Sequence, residues 1–165
     1  MGAHLAMTRL YARAAPGARV VDEIPSEHKG NFSTIGALAL RGMRTALRVP
    51  GAIASETMIF FVAEMRAPTL PAGDSVFFDN CQIHKAAEIE EAIDVPGARA
   101  VFLPPYSPDF NPIENCWSKS KNILRSLKPR TLEELLAALV AAFSSITRQD
   151  ILGWFRHCGF QGART

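Results

Sequence analysis

Two short apolar runs, Ser75–Asp79 and Ala100–Leu103, most constrain the fold of this 165-residue chain. Runs of this length, bounded by turn residues, predict strands that are buried on both faces. A charged helix is predicted between them, over His84–Ile93. Because strands joined through a helix are usually parallel, their carboxyl ends should meet at one edge of a sheet. Open parallel sheets bind ligands at that edge, and Asp79 ends the first run there.

The rest of the chain predicts the α/β class, with a mixed sheet flanked by helices. Three strands of a meander are expected first, followed by a helix that Ser55 caps, and three more helices are expected after the second apolar run. The predicted strands are Ala18–Ile24, Asn31–Leu40 and Met43–Val49, and the predicted helices are Ser55–Arg66, Asn111 or Pro112 to Leu127, Thr131–Ser145 and Asp150–His157.

Composition excludes several classes of protein. The net charge of +2 permits a nucleic-acid partner but does not by itself indicate one. The three cysteines lie far apart and form no Cys-x-x-Cys pair, which argues against a disulfide framework or a zinc knuckle. No apolar run approaches the roughly 18 residues that indicate a membrane span, and the first residues do not resemble a signal peptide. We therefore expect a cytoplasmic protein with no membrane partner.

Asp79 and Glu114 are the candidate catalytic and metal-binding residues. A carboxylate at the end of a buried strand is costly unless it is paired, hydrated or bound to a cation. Glu114 is the third residue of the predicted helix start Asn111-Pro112-Ile113-Glu114. Each acid has a purely structural alternative, which the sequence leaves open. Asp79 could cap the turn that follows it, and Glu114 could complete a capping box.

A loop rich in proline joins the second apolar run to the helix that carries Glu114. Four prolines fall between Phe102 and Glu114, and 34 residues separate Asp79 from Glu114. Such a loop has few conformations to lose on folding, so it is rigid at low entropic cost. We expect it to hold the helix start against the strand end.

These segments resemble the mariner-like bacterial insertion-sequence transposases of the DDE superfamily. The resemblance rests on Phe-Phe-Asp-Asn-x-x-x-His-Lys, beginning at Phe77, and on Phe-Leu-Pro-Pro-Tyr-Ser-Pro-Asp-Phe-Asn-Pro-Ile-Glu-x-x-Trp-Ser-x-x-Lys, beginning at Phe102. It extends over about residues 5–130 and is most specific over 76–125.

The resemblance implies a ribonuclease H-like fold and an Asp, Asp, Glu catalytic set. Asp79 matches the second Asp of that set and Glu114 matches the Glu. The implied cofactor is Mg²⁺ or Mn²⁺, because hard divalent cations prefer carboxylate oxygens. The implied reaction is phosphodiester cleavage and strand transfer during DNA transposition.

The family's first Asp has no counterpart here. It lies a few residues before a stretch like Met7-Thr8-Arg9, and positions 1–21 contain no acid. Asp22-Glu23 is rejected as a substitute, because it follows a segment that the family exposes on its second strand. We therefore expect residues 1–130 to form an N-terminally truncated catalytic domain that lacks most of the central first strand. Residues 131–165 would form a helical extension packed on it.

The predicted DNA-binding residues are His84, Lys85, Lys121 and Arg125. Lys121 and Arg125 share one helical face with Glu114, so they could follow a phosphate backbone away from the metal site. His84 and Lys85 follow Asp79 and could contact phosphate or the outer shell of the metal. The alternatives are an ordinary solvated basic face and a histidine without a role. Trp117, Cys81 and Cys116 are expected to be core residues.

The sequence leaves two functions open. The first is the catalytic domain of a DNA transposase, with transposon ends and target DNA as partners. The alternative is a non-catalytic remnant that binds DNA or transposase subunits. An unrelated α/β-hydrolase-like enzyme is discounted, because the chain has neither a Gly-x-Ser-x-Gly elbow nor a Walker phosphate loop. The sequence leaves open whether the protein forms a homodimer.

Overall fold

A computed structural model describes residues 1–25 and 30–160. Five strands and five α-helices make up the described fold, with short 3₁₀ turns between some of them. The strands are β1 (Gly2–His4), β2 (Asn31–Ala39), β3 (Gly42–Pro50), β4 (Ser75–Phe78) and β5 (Arg99–Phe102). The helices are α1 (Ser55–Phe60), α2 (Ala87–Asp94), α3 (Pro112–Leu127), α4 (Leu132–Ser144) and α5 (Arg148–His157).

The strands form two ladders within the described residues. β1, β2 and β3 make an antiparallel sheet, and β4 and β5 make a parallel pair with Phe77 opposite Val101. The predicted parallel pair is therefore confirmed. β1 is only three residues long, and no backbone ladder joins the two sheets in residues 1–25 and 30–160.

Three local predictions were wrong. Ala18–Ile24 forms no strand and lies exposed, because no neighbouring strand pairs with it and β-propensity depends on that context. Ala54, not Ser55, is the N-cap of α1, and the second half of the predicted helix is a π-helix over Phe61–Arg66. β4 is not buried on both faces, since Phe77 is 40% exposed and packs edge-on against the Phe160 ring.

The larger core lies between the first helical segment, α2 and the inner faces of both sheets. Its buried members are Ile35, Met58, Phe61, Val62, Leu70, Ile89, Ile93 and Ala98. Val76 and Phe78 of β4 and Ala100 of β5 pack against this cluster. Full burial of each large apolar side chain contributes about 1.5–3 kcal/mol. The α2 crossover therefore holds the parallel pair in place and fixes the strand ends.

A second core joins β1 to α3 and α4. Its buried members are Ala3, Met7, Leu124, Leu135, Ala138 and Leu139. A capping box begins α4, with Thr131 and Glu134 exchanging hydrogen bonds. At the start of α5, Asp150 accepts from Lys119 of α3 at 2.5 Å and from Thr147. The hydrogen bond from Lys119 is the main reason why the pKa of Asp150 falls to about 2.

Arg130 ties the segment after β1 to the helical side of the molecule. Its Nη1 donates to the carbonyl oxygens of Leu5 and Met7, both at 3.0 Å. These carbonyls lie outside the β1–β2 strand pairing, so the guanidinium supplies the hydrogen-bond donors that the backbone does not. Arg130 therefore fixes the position of the N-terminal segment against α3 and α4.

No single helix in the described ranges is long and apolar enough to cross a membrane. The pair Leu132–Ser144 and Arg148–His157 passes the combined test by length and composition, with a bend of 76° between its helices.

Replacing Arg130 should destabilise the fold. We expect Arg130→Ala to lower the free energy of unfolding by about 2 kcal/mol, because a charged donor to two carbonyls is lost. Urea unfolding followed by circular dichroism measures this. Arg156→Ala, on the exposed side of α5, is the matched control and should change stability by less than about 0.5 kcal/mol. Equal stabilities of the two variants would contradict this role of Arg130.

Candidate active site at the carboxyl end of the parallel strands

Asp79 is the first residue after β4, at the edge of the sheet where both parallel strands end. Its side chain is 52% exposed. Oδ1 accepts the backbone N–H of Cys81 at 3.1 Å, which closes the turn after the strand. The structural alternative for Asp79 is thus present, but it uses only one of the two carboxylate oxygens.

His84 lies directly against Asp79. Its Nδ1 is 2.6 Å from Asp79 Oδ1, and its side chain is only 15% exposed. Nδ1 has no hydrogen-bond partner of good geometry in the described part of the chain. Asp79 Oδ1 is therefore close to Nδ1 but lies off the direction of a ring N–H. The pair is therefore an oblique electrostatic contact in this conformation.

Glu114 lies in the first turn of α3, as predicted. The Asn111 side chain caps the helix by accepting from the N–H of Ile113 at 3.4 Å, and Pro112 is the first helical residue. The backbone N–H of Asn111 already donates a hydrogen bond to the Pro108 carbonyl oxygen at 2.9 Å. A capping box would need that N–H as the donor to Glu114, so the capping box does not form. The exposed Glu114 carboxylate therefore remains available to a ligand.

Asp79 and Glu114 line the same cleft, whose volume is about 490 Å³. Its remaining walls come from the turn after β4 and from the proline-rich loop, and comprise Asn80, Cys81, Gln82, Lys85, Leu103, Pro104, Pro105, Tyr106, Ser107, Pro108 and Asn111. Two of the predicted DNA-binding residues lie apart from the cleft, further along α3 than Glu114. These are Lys121 and Arg125. Arg125 Nη1 donates to the Asn122 side-chain oxygen at 3.4 Å.

The proline-rich loop presents Tyr106 at the rim of the cleft. This residue adopts a positive φ of 55°, and its side chain is fully exposed. The Leu103 N–H donates a hydrogen bond to the Phe78 carbonyl oxygen at 2.8 Å, so the loop begins as a direct continuation of the β4–β5 pairing. The loop then runs from the end of β5 to the start of α3.

The start of β1 also lies near this region. Burial lowers the pKa of the Met1 ammonium, the nearby Glu114 carboxylate raises it, and Lys121 lowers it. The ammonium donates to the Thr34 carbonyl at 2.7 Å. Met1, the residue before β1, thus lies near the start of α3, which carries Glu114.

Asp22 is held at the other end of α3. Both of its carboxylate oxygens accept from Lys128 Nζ, at 2.5 and 2.6 Å. Lys128 follows Glu114 by 14 positions, which corresponds to about 21 Å along a helix. This placement supports the rejection of Asp22-Glu23 as a substitute for the missing acid.

The chemistry of the donor set fits a hard divalent cation. Two carboxylates reach one cleft, and Asn80 beside them has a buried side-chain oxygen with no hydrogen-bond partner among the described residues. Oxygen donors of this kind suit Mg²⁺. Residues 1–25 and 30–160 hold no group of three or more His, Cys, Asp or Glu side chains placed for a metal. The described chain therefore offers two acidic ligands, not three.

Sequence reasoning missed the other residues that line the cleft. Cys81 was expected to be a small buried hydrophobe, but it is exposed in the cleft, while Cys116 is buried as expected. Asn80 was expected only as part of the turn that follows Asp79. The signal that could have found both is their position directly after Asp79, since residues that follow a strand end form the binding edge in folds of this kind.

The profile of the DDE superfamily endonuclease family matches residues 1–136, most of the chain. The chain belongs to the DDE superfamily endonucleases. No curated protein matches it. The expected family is thereby confirmed, independently of the geometry of the cleft.

Solved structures of Mos1 share the fold. The Mos1 strand transfer complex matches with a TM-score of 0.72 and 12% identity, over 96% of this chain and 48% of that chain. The Mos1 mariner paired end complex with Mn matches with a TM-score of 0.69 and 12% identity, over 96% and 49%. The Mos1 transposase paired-end complex with left transposon end gives 0.70 and 12%, again over 96% and 49%. The expected ribonuclease H-like α/β fold is confirmed, and the chain spans about half the length of these relatives.

Thiol labelling tests the exposure of the cleft. We expect iodoacetamide at pH 8 to label Cys81 first, because burial raises the pKa of the Cys116 thiol to about 11 and also raises that of Cys158. Mass spectrometry of timed samples measures the order, with urea-unfolded protein as the control in which all three thiols react. Labelling of Cys116 before Cys81 in the folded chain would refute this arrangement.

Proposed function

We propose that this chain is a DNA transposase catalytic domain that carries out metal-dependent phosphodiester cleavage and strand transfer. The observation that carries the proposal is the shared cleft of Asp79 and Glu114, at the end of a parallel strand pair and the start of a helix. Membership of the DDE superfamily endonucleases supports it.

The cofactor in this proposal is Mg²⁺ or Mn²⁺, held by Asp79 and Glu114. One of the Mos1 structures is described as a complex with Mn, which supports a divalent ion in this fold. Such ions, when bound, activate the attacking oxygen and stabilise the leaving oxygen of an in-line displacement at phosphorus.

The chain's own residues hold and orient the substrate. Asp79 Oδ1 is engaged by the turn, which leaves Oδ2 for a cation, and the cap at Asn111 fixes the direction of Glu114. Lys85 is exposed on the cleft wall, and Lys121 and Arg125 extend the positive charge along α3. These three cations would bind phosphates on both sides of the reacting bond.

DNA is the proposed partner, as transposon ends and as target. The Mos1 relatives are described as strand transfer and paired-end complexes, one of them with a left transposon end. A homodimer and a cytoplasmic location at a prokaryotic nucleoid belong to the same proposal. So does the division into a catalytic domain over 1–130 and a helical extension over 131–165.

The third acid would lie at the amino end of β1. The resemblance places it a few residues before Met7, and Glu114 already acts on the Met1 ammonium at that end. One observation favours the alternative function, a non-catalytic remnant that binds DNA or transposase subunits. The described residues supply only two acids to the site, and two ligands bind a cation less tightly than three.

Metal titration tests the site. We expect Asp79→Asn and Glu114→Gln each to weaken Mn²⁺ binding by at least about 10-fold, since losing only the support of a ligand already has effects of this size. Electron paramagnetic resonance of free Mn²⁺ measures the affinity. Asp109→Asn, an exposed acid on the same loop outside the cleft, is the control and should bind as the unmodified chain does. Unchanged affinity in both site variants would end the metal-site proposal.

A DNA nicking assay with the same variants separates the two functions. Nicking that requires Mn²⁺ and disappears in Asp79→Asn supports the catalytic function. Binding to DNA without nicking, in a chain that still binds Mn²⁺ through Asp79 and Glu114, supports the remnant.

A further inference from the structure

We propose that His84 is a positioning residue for Asp79, and that it acts on the metal site rather than on DNA. This inference rests on the proposed function, because it assigns His84 a role in holding the carboxylate that would bind the ion. The sequence left open a phosphate contact and a place in the outer shell of the metal for His84, and its position favours the second.

The first support is the location of the side chain. Lys85 is exposed and lines the cleft, whereas the neighbouring His84 is 15% exposed in its side chain and does not line it. A phosphate backbone approaching from solvent would meet Lys85 before His84. The imidazole instead contacts Asp79, with Nδ1 2.6 Å from Oδ1.

The second support is the division of labour on the Asp79 carboxylate. Both contacts in the described part of the chain, from the Cys81 N–H and from His84 Nδ1, fall on Oδ1. Oδ2 has no such contact and belongs to a carboxylate that is half exposed. Holding one oxygen sets the rotation of the carboxylate, so the other oxygen faces the cleft in a fixed direction. Carboxylate ligands of metals are commonly held in this way by a second group.

The third support is that His84 is itself held. The 3₁₀ turn Gln82–His84 is closed by the His84 N–H, which donates to the Cys81 carbonyl at 3.0 Å. The imidazole packs against the Phe78 ring of β4 at 5.5 Å between centroids, and Phe78 stacks on Phe102 of β5 at 5.9 Å. The position of His84 is therefore tied to both parallel strands.

The oblique geometry of the contact says which part of the imidazole matters. Nδ1 is the imidazole atom in contact with Asp79 Oδ1, so a side chain with a nitrogen at the δ position should replace it. Asparagine has its amide nitrogen on Cγ, as histidine has Nδ1, whereas glutamine places its nitrogen one bond further out. His84→Asn and His84→Gln thus form a matched pair.

Mn²⁺ binding by the full chain tests the proposal. We expect His84→Ala to weaken Mn²⁺ affinity by about 10-fold or more, the range for loss of a group that orients a metal ligand. His84→Asn should recover most of the affinity and His84→Gln should not. His84→Ala that binds Mn²⁺ as the unmodified chain does would overturn the proposal, and so would equal recovery by Asn and Gln. If His84→Ala does not fold, as judged by circular dichroism, the comparison of Asn with Gln decides alone.

A second readout separates positioning from DNA contact. Binding of duplex DNA in EDTA, measured by fluorescence anisotropy over a range of salt concentrations, should be the same for His84→Ala and the unmodified chain. Lys85→Ala should bind more weakly, with a smaller salt slope, if it contacts phosphate. A reduced salt slope in His84→Ala would show a phosphate contact and overturn the proposal.

Asp79→Asn, measured alongside, distinguishes the two levels of failure. If Asp79→Asn leaves Mn²⁺ affinity unchanged, the metal site itself is wrong. If Asp79→Asn weakens binding and His84→Ala does not, only the positioning role of His84 is wrong.

Discussion

The arrangement of the site depends on one constraint, which is that two carboxylates from distant positions must be presented to the same small volume. The fold meets this constraint by placing Asp79 at the end of a parallel strand and Glu114 at the capped start of α3. The parallel pair, the α2 crossover and the proline-rich loop all serve to keep these two points together.

The N-terminal segment is fixed by a different set of interactions. β1 pairs with β2, its Ala3 side chain and the Met7 that follows it pack into the core formed with α3 and α4, and Arg130 binds the carbonyls of Leu5 and Met7. The Met1 ammonium, just before β1, consequently lies near Glu114. The N-terminal segment is thus held against α3 and α4.

Much of this organisation is predictable from sequence, because it rests on local signals. The apolar runs of β4 and β5, the cap at Asn111 and the capping box at Thr131 are each written in a few neighbouring residues. Ala18–Ile24 was mispredicted because a strand also requires a partner, and local composition does not show one. The position of His84 against Asp79 was also not predictable. A histidine five residues after an aspartate can face solvent or the strand, and only the turn Gln82–His84 and the packing on Phe78 decide between them.

The most direct test of this account is a crystal structure of the chain soaked in Mn²⁺, with anomalous diffraction collected at the manganese absorption edge. We predict an anomalous peak in the cleft, within coordination distance of carboxylate oxygens of both Asp79 and Glu114. A peak bound by only one of the two acids, or manganese bound only outside the cleft, would contradict it.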